Sequence, residues 1–288
     1  MTNKIKPFVK WVGGKGMILD KIVSRFPNNI ETYVEPFVGG GSVFMNFISN
    51  CSGLKTIVIN DVNEDLINCY IVIKNNHEEL LKKLDSLQEK YNSLTEEKQK
   101  EMYYEIRERY NEHVSDSIIQ SAYFIFLNKL NFNGLYRLNR KGVYNAAFGY
   151  RKVASLYEND SIVDLSKTLK NIIIMCGDYS ETLNYSNNEK SFFYFDPPYI
   201  PINDNVKNKF YNSKDFYKDD YLRLKNFCDE ITKNGAKFIM SNSTREDNFL
   251  ENLYSDYNFD YIQAPRKISG KASSRMDVKE CLISNFKN

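Results

Sequence analysis

Residues 32–49 read TYVEPFVGGGSVFMNFIS, and this stretch decides the fold. Thr32–Phe37 has the β-branched and aromatic content of a strand, and a helix follows Gly39, Gly40 and Gly41 as far as about Ser49. A strand that ends on glycines ahead of a helix lets the backbone approach a ligand closely, with helix N–H groups facing it. A tight turn with a helix cap is the other reading of the same residues. No Gly-Lys-Ser/Thr closes the run, so it is not a nucleoside-triphosphate loop. Phe44 stands where a dinucleotide fingerprint needs its last glycine.

Outward from there, Thr56–Ile59 is a second strand ending at Asn60 and Asp61. An acid at this strand end, twenty residues past Gly41, is placed to accept hydrogen bonds from ribose hydroxyls. The pair fits a nucleoside without a pyrophosphate. After Asp61 the apolar period becomes helical: Leu66, Ile67, Tyr70, Ile71, Leu80, Leu81, Leu84, Leu87 and Tyr91, then Met102, Tyr103, Ile106 and Tyr110. Ile118–Leu130 reads as a buried helix and Asn131–Gly149 as a hairpin or loop region. Strands return at 172–176, 192–196, 237–241, 258–264 and 280–286, with a helix at Asp219–Asn234. Mostly apolar strands alternating with helices predict an α/β fold: a parallel sheet covered on both faces, its last strands near enough in sequence to pair antiparallel. One domain is then built from residues 1–63 and 161–288, interrupted by a mostly helical insert at 64–160.

The 288 residues exceed one average core, and 42% hydrophobic with 26% charged residues excludes a disordered or fibrous chain. The longest apolar run, around Ile172–Cys176, is too short to span a bilayer, and MTNKIKPFVKW lacks the apolar core of a secretory signal. A soluble, cytoplasmic protein is expected, with no membrane partner. Five cysteines without a C-x-x-C pair fit reduced thiols. The two histidines, His77 and His113, sit in polar helix-like stretches and are expected at the solvated surface. Chemistry then falls to carboxylates, hydroxyls, backbone groups and an organic cofactor.

Net charge is only +2, but its distribution is uneven. Ser117–Tyr157 contains no Asp or Glu in 41 residues and carries Lys129, Arg137, Arg140, Lys141, Arg151 and Lys152. A second basic patch holds Arg266, Lys267, Lys271 and Arg275. Basic residues interleaved with Tyr, Phe and Asn suit a phosphate-tracking surface; a solvated face is the alternative.

Directly after the strand Phe192–Phe195 comes Asp196-Pro197-Pro198-Tyr199. Two prolines end a strand and offer carbonyls but no N–H. The turn therefore presents a carboxylate, a carbonyl and an aromatic face together, a set that matches a planar amino-substituted heterocycle. Asp196 and the Pro197 carbonyl can each accept one N–H of an exocyclic amino group while Tyr199 stacks on the ring.

In their joint order, Phe8–Lys15 (FVKWVGGK), Glu35–Gly41, Ile59–Asp61, Asn131–Arg137 (NFNGLYR), Gly177-Asp178, Asp196–Tyr199 and Ser241-Asn242 resemble the Dam-type DNA adenine-N6 methyltransferases over nearly the whole chain. The resemblance implies a Rossmann-like, S-adenosylmethionine-dependent methyltransferase sheet with a target-recognition insert. It implies double-stranded DNA as the partner, base flipping and no metal, and it accommodates a cognate restriction endonuclease that forms no stable complex with the chain. It implies that Trp11, Lys15, Phe37, Gly39, Gly41, Asp61, Asp178 and Asp196 line the cofactor site, with Lys15 toward the methionine carboxylate. Asp196, Pro197, Pro198 and Tyr199 would hold the target base. Lys10, Lys129, Phe132, Asn133, Leu135, Arg137, Asn139 and Ala147 would meet DNA: Phe132 as a wedge, Asn133 at the orphaned base, Leu135 on a thymine methyl, Arg137 on a guanine edge. These roles imply GATC or a site containing it. Where many relatives carry Asn-Val-Pro-Phe-Gly, this chain has Asn145-Ala-Ala147-Phe-Gly149, which implies a looser reading of the inner thymine.

Rival readings are a methyltransferase acting on cytosine N4, RNA or a protein glutamine, and a catalytically silent DNA-binding regulator. Asp196 argues against the cytosine and glutamine enzymes, which usually carry Ser or Asn there. The retained Lys15, Asp61 and Tyr199 argue against a silent protein.

Overall fold

Burial on both faces dictates the strand sequences. The computed structural model describes residues 5–158, 160–199, 216–244, 247–263 and 279–287. In chain order the elements are α1 (Leu19–Val23), β1 (Thr32–Glu35), α2 (Ser42–Asn50), β2 (Thr56–Asp61), α3 (Glu64–Asn92), α4 (Glu96–Asn111), α5 (Ser117–Leu130), α6 (Ser161–Leu169), β3 (Ile173–Cys176), β4 (Ser191–Phe195), α7 (Lys218–Lys233), β5 (Lys237–Ser243), α8 (Phe249–Leu253), β6 (Asn258–Gln263) and β7 (Lys279–Ser284). Short 3-10 segments cover Phe132–Gly134 and Tyr179–Tyr185.

Among the described residues the strands form one sheet in the order β3-β2-β1-β4-β5-β7-β6. The first five pair parallel, and β7 enters antiparallel between β5 and β6. The antiparallel close matches the sequence expectation. Strand order reverses between β1 and β4, and in open α/β sheets ligands bind beyond the carboxyl ends of strands at such a switch point. Because β7 runs the other way, its first residues reach that same edge.

Alternate residues of β1 and β4 feed two cores. Tyr33, Phe192 and Tyr194 pack with Phe26, Phe47 and Tyr70 on one face, while Val34, Phe193 and Phe195 pack with Leu224, Phe227 and Tyr254 on the other. Covering both faces is why these strands read as continuous apolar runs. Burying each such side chain contributes roughly 1.5–3 kcal/mol.

The helical block lies on the first face. Asn63 caps α3 by accepting from the Leu66 N–H at 2.9 Å, and α3 stays helical to Asn92 except for a kink at Asn76 (φ −137°). Asp116 caps α5 through the Ile118 and Ile119 N–H groups. Tyr91, Tyr103, Phe126 and Phe148 continue the core cluster from the sheet into the block without a break. Residues 131–149 form a hairpin-like excursion bridged at Asn131–Phe148 and Leu138–Tyr144.

Some readings need correction. The first strand stops at Glu35, because Pro36 has no N–H to pair and the chain turns there. His77 is not simply solvated: it is half-buried at the α3 kink, with Nδ1 3.0 Å from the Ser166 hydroxyl of α6. His113 is exposed, as expected. The described cysteines are all free thiols. Arg266, Lys267, Lys271 and Arg275 lie outside the described residues.

Candidate active site

Carboxylates gather at the switch point because β1, β2 and β4 each end on one. Asp196 follows β4, and both its oxygens lie 2.6 Å from the Lys15 ammonium, which also donates to the Gly13 carbonyl at 3.1 Å. Lys15 is 4% exposed. Its glycine-flanked loop brings the ammonium over the sheet edge, where it stands 4.7 Å from the centroid of the Tyr199 ring. Ser241, at the end of β5, donates to Asp196 Oδ1 at 3.3 Å and shares a 2.9 Å hydrogen bond with Tyr194. Burial raises the Asp196 carboxyl above its ordinary range, and the Lys15 charge opposes that rise. Lys15 thus stands between Asp196 and the Tyr199 ring and binds Asp196 directly.

The two prolines do what their chemistry requires. The Pro198 carbonyl accepts from the Tyr221 hydroxyl at 2.8 Å, and Tyr221 accepts in turn from Asn242 Nδ2 at 2.6 Å. That relay anchors the turn from α7 and β5.

Asp61, at the end of β2, accepts the Gly39 N–H on one oxygen and the Asn63 N–H on the other, both at 2.9 Å. Burial raises its carboxyl, and these N–H donors hold it down. The turn between β1 and α2 is built around glycine. Gly39 has φ +48°, and a Cβ there would lie 2.8 Å from the Trp11 ring. At Gly41 (φ +74°) a Cβ would meet Phe44 at 2.4 Å and the Tyr70 hydroxyl at 2.5 Å. Trp11 also stacks on Tyr136 of the hairpin with centroids 5.6 Å apart, so it joins the glycine turn to the helical block. Phe37 faces Tyr179 at 5.2 Å.

Asp178, after β3, caps the 3-10 segment and grips the Arg223 guanidinium of α7, which lies over the Tyr179 ring. Burial works to raise the Asp178 carboxyl, but Arg223 and Ser180 outweigh it and the net direction is down. Near this cleft the Asn60 side-chain oxygen and the Tyr179 hydroxyl are buried without a hydrogen-bond partner. Unpaired buried polar atoms are costly and mark places where a ligand or water completes the bonding.

The DNA candidates form a separate group on the block. The Lys10 backbone and the Asn128 side chain exchange hydrogen bonds of 2.8 and 2.9 Å, and a Cβ on Gly134 would strike the Lys10 stem at 2.6 Å. Burial, then neighbouring cations, lower the Lys10 and Lys129 ammonium groups. Phe132 is 60% exposed, its N–H held at 2.8 Å by the Ala147 carbonyl, and Asn133 beside it is left-handed (φ +63°). Leu135 is half-buried. Arg137 is exposed and leans on Asn145 through Nε–Oδ1 at 2.7 Å and a second bond to its carbonyl at 3.0 Å. Asn139 spends its side-chain oxygen on the N–H groups of Lys141 and Val143, closing the turn.

Four side chains at the site had no assigned role in the sequence reading: Glu35, Ser241, Arg223 and Glu280. Glu35 is 2% exposed and accepts from Tyr33 at 2.6 Å. Glu280, on β7, accepts from the Tyr199 hydroxyl and lies 3.6 Å from the Lys15 ammonium. The signal for it was an acid ahead of the apolar residues Cys281, Leu282 and Ile283 of β7. Among the described residues no group of three or more His, Cys, Asp or Glu is placed to hold a metal ion, and no helix is long and apolar enough to cross a membrane.

Comparison with known proteins identifies the family. A family model described as D12 class N6 adenine-specific DNA methyltransferase matches residues 11–268. The chain is 41% identical to the Type II methyltransferase M.MjaIII of Methanocaldococcus jannaschii, over 98% of this chain and 100% of that protein. It is 33% identical to the Type II methyltransferase M1.LlaDCHI of Lactococcus lactis subsp. cremoris, covering 99% and 98%. It is 29% identical to a DNA adenine methylase of Haemophilus influenzae, covering 98% and 94%.

Proposed function

The chain belongs to the D12 class of N6 adenine-specific DNA methyltransferases, and from that premise we propose that it moves a methyl group from S-adenosylmethionine to N6 of an adenine rotated out of duplex DNA, at GATC or a site containing it. One observation carries the reading: Asp196, held by Lys15, and Tyr199 stand together at the sheet's switch point, across from the glycine turn and Asp61.

Residues 1–63 and 161–288 form the catalytic domain in this reading, and 64–160 recognise the target. The cleft fits the cofactor. The Asp61 carboxylate accepts backbone N–H groups from Gly39, Asn63 and Val62, and its remaining acceptor capacity suits a ribose hydroxyl. Phe37 offers an aromatic wall, Gly39 and Gly41 allow close approach, and Asp178, Asn60 and Tyr179 offer polar atoms to an adenine and its ribose. Trp11 backs the glycine turn. When bound, S-adenosylmethionine supplies an electrophilic methyl group on a positively charged sulfur.

Everything else is positioning. Adenine N6 is inaccessible inside a duplex, so the base must leave the stack at a cost of a few kcal/mol, least where a wedge fills the gap. Phe132 is the wedge, with Asn133 facing the orphaned partner. Tyr199 stacks on the extruded base. Asp196 and the Pro197 carbonyl take one amino hydrogen each, so that the nitrogen lone pair faces the methyl group. Pro198 keeps the turn rigid through Tyr221. After transfer the nitrogen is cationic and strongly acidic, and its surplus proton leaves by way of Asp196. A carboxyl raised by burial suits that brief receipt.

Lys10 and Lys129 lie along the phosphate path. Arg137 reads a guanine, Leu135 and Ala147 meet thymine, and Asn139 shapes the turn that presents them. The enzyme acts on cytoplasmic DNA, with or without a cognate restriction endonuclease that cuts the same site independently. Expression in a bacterial host without adenine methylation, followed by sequencing that detects modified bases, tests the site. N6-methyladenine confined to GATC-containing motifs is expected; modification elsewhere, or on cytosine, contradicts it.

A further inference from the structure

The acid that opens β7 has no place in the mechanism above. Glu280 is 6% exposed, and its neighbours across the sheet are Ser243 of β5 and Ile262 of β6. An antiparallel strand at this position delivers its first residue to the edge where the parallel strands end. Its Oε1 accepts from the Tyr199 hydroxyl and lies 3.6 Å from the Lys15 ammonium, which is itself 2.6 Å from Asp196 and over the Tyr199 ring. Two carboxylates therefore flank one buried ammonium. Burying a carboxylate is expensive, and an apolar residue would continue the strand at lower cost.

Resting on the reading of Asp196 and Tyr199 as the target-base pocket, we propose that Glu280 is a positioning residue for methyl transfer. It holds the far end of the Tyr199 ring in place through its hydroxyl, and it takes up the Lys15 ammonium as the base's amino group claims Asp196. A ring held at its hydroxyl cannot swing about its Cα–Cβ bond, so it stays where the base must stack. Lys15 donates to both Asp196 oxygens, so an arriving amino group competes with it. An ammonium has three donors; the Gly13 carbonyl already takes one at 3.1 Å, and Glu280 at 3.6 Å is the carboxylate on hand for a donor released by Asp196. A shift that closes 3.6 Å to ordinary hydrogen-bond range completes the exchange without stranding the charge.

The test compares E280A, E280Q, Y199F and the E280A/Y199F double variant by single-turnover transfer to a duplex carrying the target site. A parallel duplex carries 2-aminopurine at the target adenine. E280A slows transfer roughly tenfold or more with unchanged cofactor affinity. E280Q, whose amide oxygen still accepts from the hydroxyl, recovers the larger part. The double variant loses less than the product of the two single losses, because both act on one contact. The extruded 2-aminopurine is less quenched in E280A than in the unmodified enzyme. Unchanged transfer in E280A, no recovery in E280Q, or losses that multiply in the double variant overturns the assignment. If E280A does not fold, Y199F and E280Q decide: Y199F transferring at the full rate overturns it. An unmodified enzyme that leaves adenine untouched would instead defeat the pocket reading itself, and an active enzyme with an indifferent E280A defeats only the role of Glu280.

Discussion

Burial and bonding pull opposite ways at each acid of the site, and Glu35 is the extreme case. It is enclosed between β1 and α2, and burial raises its carboxyl well above the ordinary range against the Tyr33 hydroxyl and Phe44 N–H that lower it. The folded protein then binds this proton more tightly than the unfolded chain does. Its contribution to stability is complete below the usual carboxylate range and is lost as pH rises through the elevated value. Thermal melts of Glu35→Gln, where no proton can be lost, should therefore gain on the unmodified protein between about pH 5 and about pH 8. A constant difference across that range would mean Glu35 is ionised throughout. Asp196, Tyr199 and Asp61 were legible from sequence because each sits beside a local signature, a proline pair or a strand end. Glu35 stood inside the quoted motif without a role. Glu280 meets Lys15 from far along the chain, and only the antiparallel turn of β7 brings them together. No local pattern encodes that distance.

Between elements, the glycine turn is the tightest joint. Gly39 is left-handed and leaves no room for a Cβ beside Trp11. Gly39→Ala should lower stability by about 1–3 kcal/mol and weaken cofactor binding more than DNA binding, measured by calorimetric titration of each ligand. Equal weakening of both would place the joint's role in the helical block, through the Trp11–Tyr136 stack. The order of strands and helices was readable because short apolar runs give way to helical spacing at Asp61 and return near Ile172. The α3 kink was not, since Asn76 lies in the polar run Lys74–Glu79, which a solvated turn of a continuous helix would carry equally well. In the hairpin, the family resemblance pointed to Arg137, but its seat on Asn145 was not legible. Arg137→Ala should relax sequence choice, costing roughly 1–3 kcal/mol of discrimination at one base pair. Competition between cognate and single-substitution duplexes measures it; a uniform loss on every duplex would make Arg137 a phosphate contact.

Across the whole molecule, a net charge of +2 hides an acid-free segment of 41 residues that bears the candidate DNA contacts. Affinity for duplex DNA should fall linearly in log–log terms with salt, at a slope near −0.9 per phosphate contacted. A flat response would return that segment to the role of a solvated face. The same scale holds the central claim, that one edge of one sheet brings a methyl donor and an extruded adenine to Asp196. The most direct test incubates duplex DNA with S-adenosylmethionine labelled in its methyl group and separates the nucleosides by mass spectrometry. All label should appear as N6-methyldeoxyadenosine with the unmodified enzyme, and none with Asp196→Ala that still binds DNA. Label on another base, or undiminished transfer by that variant, would contradict the account.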